Sequence, residues 1–235
     1  LSAVLVKPPS KVEIYNDRDS ELINLFRVIR DKKQFVALRT RLDDTLYSRD
    51  EFHLAQEFCT ERVERARRFI VRQWQGQDQW AYSVHQSSRG RAKTVARWDS
   101  RIKLLLAIHR RIKSVQIERD HWSTLLKRYD KAGTLFYIDA YYLPPLLTDN
   151  ALQGVRTAHH EEFLRECGSL LAAANQAKGS AAIRSFGKDL EYDLQKCGWE
   201  LKVSDPRDSS ALWLNANAVQ ANYAASHNCL QSSLF

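Results

Sequence analysis

"KVEIYND", Lys11 to Asp17, alternates apolar and polar residues and ends in Asn-Asp, the pattern of a short strand with polar chemistry at its carboxyl end. "SELINLFRVIRDKKQFVALRTRL" follows, with Leu22, Leu25, Phe26 and Ile29 spaced for one helical face and Ser20 placed as N-cap. A strand that feeds a helix, repeated, restricts the chain to α/β architectures. The pattern returns after residue 111. "VQIERDHW" reads as a second strand, "WSTLLKRYDKAG" as a helix and its Gly cap, and "TLFYID" as a third strand. "HHEEFLRECGSLLAAANQ" is helical, "SAAIRSFG" a strand and "DLEYDLQKCG" a helix, while "WELKVS" and "SALWLNA" form a closing strand pair. The stretch from Ser48 to Arg111 departs from this pattern. It is helical, charged and rich in aromatics, with a polar break at "QWQGQDQWAYSVHQSSRGRAKT" before the helix "VARWDSRIKLLLAIHRRIKS". Three segments are therefore predicted: residues 1–47 as the first part of a core, 48–111 as an inserted basic helical block, and 112–235 as the rest of the core.

A chain of 235 residues can bury one core, or a core and a smaller insertion. No apolar run reaches the length of a membrane span, and the start, "LSAVLVKPPS", lacks the charged lead of a signal peptide, so a cytoplasmic protein with no membrane partner is expected. The chain contains no Met, which points to an unusual start, a processed product, or a fragment whose beginning lies upstream. Cys59, Cys167, Cys197 and Cys229 are far apart, so buried or indifferent thiols in a reducing compartment are expected rather than disulfides. The pair His159-His160 has no metal-ligand spacing around it, and no metal is expected.

Charge is more informative. Between Glu61 and Ser114, fourteen Lys and Arg stand against four Asp and Glu, an excess of ten in a chain whose net charge is +8. A basic middle in an otherwise slightly acidic protein is the footprint of a phosphate-facing subdomain. Asp17 and Asp139 fall at the carboxyl ends of predicted strands, where ligands bind in doubly wound sheets. Two readings of Asp17 stand side by side: an acceptor for ribose hydroxyls, or an Asx residue that opens a turn.

The blocks "VEIYNDRDSELINLFRVIRD", "SSRGRAKTVARW", "VQIE", "RYDKAGTLFYID" with its following tyrosines, and "LWLN" occur in this order. Together they resemble the adenine-specific DNA methyltransferases of the DNA adenine methylase type, phage or bacterial enzymes that act alone or beside a cognate restriction endonuclease. The resemblance implies a Rossmann-like methyltransferase sheet with an inserted helical DNA-recognition subdomain. It implies S-adenosylmethionine as cofactor, double-stranded DNA as partner, a monomer, and methyl transfer to the exocyclic amine of an extruded adenine. The family's Asp-Pro-Pro-Tyr loop matches Asp139, Ala140, Tyr141 and Tyr142. By that match Asp139 and the Ala140 carbonyl accept the two amine hydrogens and the Tyr142 ring stacks on the base. Asp17 matches the ribose-binding acid.

The differences from the family carry expectations too. Proline fixes φ, so Ala140 and Tyr141 in place of two prolines leave the acceptors less preorganised. The family's glycine loop has no counterpart, since the first glycine is Gly76, and the first strand is expected to be missing with it. Arg89, Arg91, Lys93 and Arg97 lie in the family's target-recognition region and are the expected DNA contacts, with Trp80 and Tyr82 in the subdomain core. Pro144-Pro145 stiffens the loop exit, and "LWLNAN" reads as an edge strand with a buried Trp213. Beside the enzyme stand two rivals, a DNA-binding pseudoenzyme and an inactive remnant.

Overall fold

The computed structural model describes residues 7–77, 88–139, 158–186, 194–205 and 210–221. The architecture is mixed α/β, and the chain divides into two compact units, Leu1–Asp120 and His121–Phe235.

The N-terminal unit runs β1 (Ile14–Asn16), α1 (Ser20–Arg30), α2 (Lys32–Asp43), α3 (Arg49–Leu54), α4 (Arg62–Gln77), α5 (Ser88–Arg111), a 3-10 turn (Ile112–Ser114) and β2 (Gln116–Glu118). The two strands pair in parallel, Ile14 with Gln116, Tyr15 with Ile117 and Asn16 with Glu118. The predicted helix from Ser20 to Leu42 is two helices. Asp31 adopts extended backbone, its amide donates to the Arg27 carbonyl (3.2 Å), and its carboxylate accepts from the Gln34 amide (2.8 Å). One Asp thus closes α1 and opens α2, the local competition with helix that its short acceptor allows. The N-cap of α1 is Asp19, which accepts from the Glu21 amide (2.8 Å), and Ser20 is the first helical residue.

Phe26, Val28 and Ile29 of α1 form the centre of a core with Leu38 and Leu42 of α2, Ala66, Ile70 and Val71 of α4, and Leu105 of α5. Helix α5 contributes Trp98, Ile102, Leu105, His109 and, just past its end, Ile112, a seam of alternating four- and three-residue steps. His109 is buried and stacks on Phe35 (4.4 Å between ring centres). Its Nδ1 lies 2.5 Å from the Ile29 carbonyl, an acceptor, so Nδ1 donates and the imidazole caps the end of α1. Buried Glu13 meets Lys7 and, at 2.5 Å, the Arg111 guanidinium, and the hydrogen bond from Lys7 is the main cause that holds its carboxyl down to about 2.

The C-terminal unit runs α6 (Trp122–Tyr129), β3 (Leu135–Asp139), α7 (Ala158–Asn175), β4 (Ser180–Phe186), β5 (Glu200–Asp205) and β6 (Ser210–Leu214). The sheet order is β3-β4-β6-β5, with β3 and β4 parallel and the other two pairings antiparallel. Phe136, Ile138, Ala181, Ile183, Ala211 and Trp213 form one face, packed with Leu171 and Ala174 of α7. "LWLNAN" is therefore not an edge strand, because β6 lies between β4 and β5 with Trp213 fully buried. Among the described residues Cys59, Cys167 and Cys197 are free thiols, the first two half-buried and the third exposed.

Gly179 sits where the turn before β4 crosses the turn before β3. Its amide donates to Asp130 Oδ1 (3.0 Å), and a Cβ built on it would lie 2.7 Å from the Thr134 carbonyl and 3.0 Å from that of Lys131. Both obstacles are backbone, so neither can swing away. Gly179→Ala is expected to destabilise the C-terminal unit by about 1–3 kcal/mol. A urea midpoint equal to that of the wild type would refute the crowding.

Candidate functional site

Asp17 extends the β1–β2 ladder by one residue, its amide donating to the Glu118 carbonyl (3.3 Å). Its Oδ1 accepts from the Asp19 amide (2.9 Å) and its Oδ2 from the Tyr15 hydroxyl (3.4 Å). The Asx turn is thus present, and it leads straight into the N-cap of α1. A carboxylate offers about four lone-pair sites, so one donor on each oxygen leaves capacity for a ligand hydroxyl. The two readings of Asp17 are compatible.

Sequence reasoning missed what lies beside it. The Asn16 side chain donates to the Asp120 carbonyl and accepts from the Asp120 amide, both at 3.0 Å, and so pins the end of β2 against the end of β1. Arg119 Nε donates to the Arg18 carbonyl (3.2 Å) and strengthens the junction. The carboxyl ends of two parallel strands thereby bring Asp17, Glu118 and Asp120 to one rim. The signal was in the sequence: "VEIYND" and "VQIERD" share the spacing Val-x-Ile-x-x-Asp.

Asp139 ends β3 in the other unit and is exposed. Register places it opposite Arg184 of β4, and Tyr137 opposite Ala182. Since β3 residues alternate in facing, Tyr137 and Asp139 share a side of the sheet. Burial, and then the Asp139 carboxylate, push the Tyr137 phenol up, with Arg184 opposing. The expected amine acceptor therefore has a guanidinium as its cross-strand neighbour. Ala140, Tyr141, Tyr142 and Pro144-Pro145 lie outside the described residues.

The basic block is less available than its count suggests. Arg65 pairs with Glu21, Arg67 with Glu51 and Glu64, Arg68 with Glu64, and Arg111 with Glu13. Arg72 donates to the Ala55 carbonyl (2.5 Å), and Arg101 donates to the Trp74 carbonyl (3.3 Å) while lying over the Trp74 ring. Glu13, Glu21 and Glu51 come from outside the segment, so a local tally could not foresee their effect. The cations of α4 largely build the fold, and the DNA-facing reading rests on α5. Arg97 is exposed there, and Arg89, Lys93 and Arg97 recur at four-residue intervals of that continuous helix. The side chains of Arg89, Arg91 and Lys93, and all of Trp80 and Tyr82, lie outside the described residues.

A further cluster resembles a nucleophile relay. His121 Nδ1 lies 2.8 Å from Ser123 Oγ, and its Nε2 lies 2.7 Å from Glu166 Oε1, which also accepts from Trp122 Nε1 (3.3 Å). Acyl transfer also needs amides aimed at the oxyanion. Here the Ser123 amide goes to His121 Nδ1, and those of Thr124 and Leu125 go to the His121 carbonyl. The arrangement caps α6 and ties it to α7.

Among the described residues no helix is long and apolar enough to cross a membrane, and no group of three His, Cys, Asp or Glu is placed to hold a metal. No protein-family model matches the chain, and no curated protein matches it.

Proposed function

We propose that this chain is built on the plan of an adenine-specific DNA methyltransferase, which moves a methyl group from S-adenosylmethionine to the exocyclic amine of adenine in duplex DNA. The observation that carries the reading is an acid at the carboxyl end of a parallel strand in each unit, Asp17 after β1 and Asp139 on β3. In doubly wound sheets that is where ligands are held. Strand pairing supports it. The doubly wound order 3-2-1-4-5-6 contains a parallel pair of second and third strands and a parallel pair of fourth and fifth. β1 with β2 and β3 with β4 pair in that way, each within its own unit.

The residues present fit part of the cofactor. The Asp17 carboxylate, half-buried and with acceptor capacity left, suits a ribose diol. When bound, S-adenosylmethionine supplies an electrophilic methyl group on its sulfonium. On the base side, Asp139 and the Ala140 carbonyl accept the two amine hydrogens, which localises a lone pair otherwise spread into the ring. Tyr142 stacks on the extruded base. Arg89, Arg91, Lys93 and Arg97 hold phosphates.

Arg184 favours a second reading, a chain that binds DNA without catalysing transfer. A guanidinium in register with Asp139 competes for the lone pairs that the amine would use. Calorimetry with S-adenosylmethionine separates the two. Micromolar binding that disappears in Asp17→Ala is expected for the enzyme, and no heat at millimolar ligand leaves only the DNA-binding protein. Methyl incorporation that rises in Arg184→Leu assigns the chain to the first reading. For the DNA contacts, a slope of log K against log salt of about −3 is expected from three to four phosphates, at roughly −0.9 each. A slope near zero removes them.

A further inference from the structure

We infer that Asn16 is the positioning residue of the Asp17 site. By bonding both ways to the Asp120 backbone it fixes the Asp17 carboxylate, and so sets a preference for a nucleoside with both ribose hydroxyls over its deoxyribose form. The inference rests on the reading of Asp17 as the acceptor of a ribose diol, and it names the residue that makes the acceptor selective.

Asn is a poor strand residue, because its short amide competes for backbone partners, yet Asn16 closes β1. The contacts give the reason. β1 and β2 pair over three residues, and a two-stranded ladder of that length holds little by itself. Its last rung is the Asp17 amide on the Glu118 carbonyl (3.3 Å). Past that rung the Asn16 side chain takes over. Its Nδ2 donates to the Asp120 carbonyl and its Oδ1 accepts from the Asp120 amide, both at 3.0 Å. One side chain thus supplies the donor and the acceptor that a further strand residue would. Arg119 Nε adds a bond to the Arg18 carbonyl (3.2 Å). Asn16 before Asp17 and Arg18 after it are therefore both tied to the chain that leaves β2.

The carboxylate is held in turn at both oxygens, Oδ1 by the Asp19 amide (2.9 Å) and Oδ2 by the Tyr15 hydroxyl (3.4 Å). The Tyr15 ring packs edge-on against Phe26 of α1, with 5.2 Å between ring centres, so the core braces it. With backbone and oxygens both fixed, the remaining lone pairs keep one direction. Two adjacent hydroxyls bond to a carboxylate together only when both oxygens are already in place, whereas one hydroxyl tolerates a mobile acceptor. Releasing Asp17 therefore costs the diol more than it costs the deoxy sugar.

Competition binding on the full chain tests this, with S-adenosylhomocysteine (the demethylated cofactor) and its 2′-deoxyribose analogue as probes. The wild type should prefer the ribose form by about tenfold or more, the value of a hydrogen bond to a charged group. In Asn16→Ala the preference should fall to within about threefold. A ratio is the informative readout, since a partly unfolded variant loses affinity for both probes by the same factor. Asn16→Asp should not restore the preference, because it sets an oxygen against the Asp120 carbonyl. Asp17→Ala should flatten it in the same way as Asn16→Ala. A wild type that prefers ribose, with Asn16→Ala or Asn16→Asp keeping that preference, overturns the positioning role alone. A wild type without the preference, or Asp17→Ala with it intact, overturns the reading of Asp17 and the positioning role with it.

Discussion

Asn215→Ala should unfold the C-terminal unit more readily than any other single change in it. Asn215 is fully buried, and its side chain makes four hydrogen bonds to backbone. Its Oδ1 accepts from the amides of Ala181 and Ala218, both at 2.9 Å, and its Nδ2 donates to the carbonyls of Ala174 (3.3 Å) and Gly179 (3.2 Å). One amide thus ties together the start of β4, the end of α7, the turn before β4 and the helical residues 216–221. Its own amide adds a bond to the Ala181 carbonyl (3.0 Å) that alanine would keep. Truncation takes from the amides of Ala181 and Ala218 and from the Gly179 carbonyl the bonds that the side chain made in a dry interior, while the Ala174 carbonyl keeps the Ala177 amide (3.4 Å). Each costs about 1–3 kcal/mol when left unmade, and shared relaxation brings the sum to about 4 kcal/mol. That is a large part of the stability of a unit this size, and a fall in melting midpoint of about 15 °C or more is expected. Hydrogen exchange locates the loss: β4 and β6 should lose protection while α1 and α4 keep theirs. Asn215→Asp does not rescue, because it keeps the acceptor but turns a second oxygen toward two carbonyls. A variant that melts within about 2 °C of the wild type would show that water or backbone shifts replace the amide.

The contrast between Trp213 and Asn215 shows what could be read from sequence. "LWLN" announced a strand with a buried indole, and both are present. That β6 is interior could not be read, because alternating side chains look the same whether one edge or both edges of a strand are paired. Asn215 was passed over because Asn after a strand ordinarily signals a turn. The same limit governs the acids. Asp17 and Asp139 could be placed at strand ends from period-two patterning alone, and the repeat of "VEIYND" in "VQIERD" could have added Asp120. Arg184 opposite Asp139 depends on register, which pairing decides. Apolar spacing ran through Asp31 without a break, since Phe35, Leu38 and Leu42 continue the period while the backbone turns. The basic block was legible as charge but not as availability, because the acids that occupy it come from elements distant in sequence.

The fate of that charge leads to the second large effect, Arg67→Ala in the N-terminal unit. The Arg67 side chain is almost entirely buried. Its guanidinium meets Glu64 through Nε (2.9 Å) and Nη2 (2.7 Å), Glu51 through Nη1 (2.8 Å), and the Thr45 hydroxyl (3.1 Å), so α4, α3 and the end of α2 share one cation. Removing it leaves two partly buried carboxylates close together, and loss of one partner from a buried network costs about 3–5 kcal/mol. Arg67→Lys should recover little, since a point charge cannot span a fork of three acceptors. The pH dependence distinguishes an electrostatic loss from a packing loss. In the wild type burial pushes the Glu64 carboxyl up, but Arg67 and Arg68 outweigh it and hold the group below the usual carboxylate range. A carboxyl whose folded value is lowered contributes stability above its unfolded value and loses it as pH falls through the folded one. The wild type therefore loses this contribution on acidification, whereas Arg67→Ala, in which Arg68 and Arg41 still face Glu64, has less of it to lose. Urea midpoints of the two proteins should differ most near neutrality and converge below about pH 4. A gap that stays constant down to that pH would mean that Arg67 acts through its buried methylenes, and that the ion network on α4 contributes nothing to the fold.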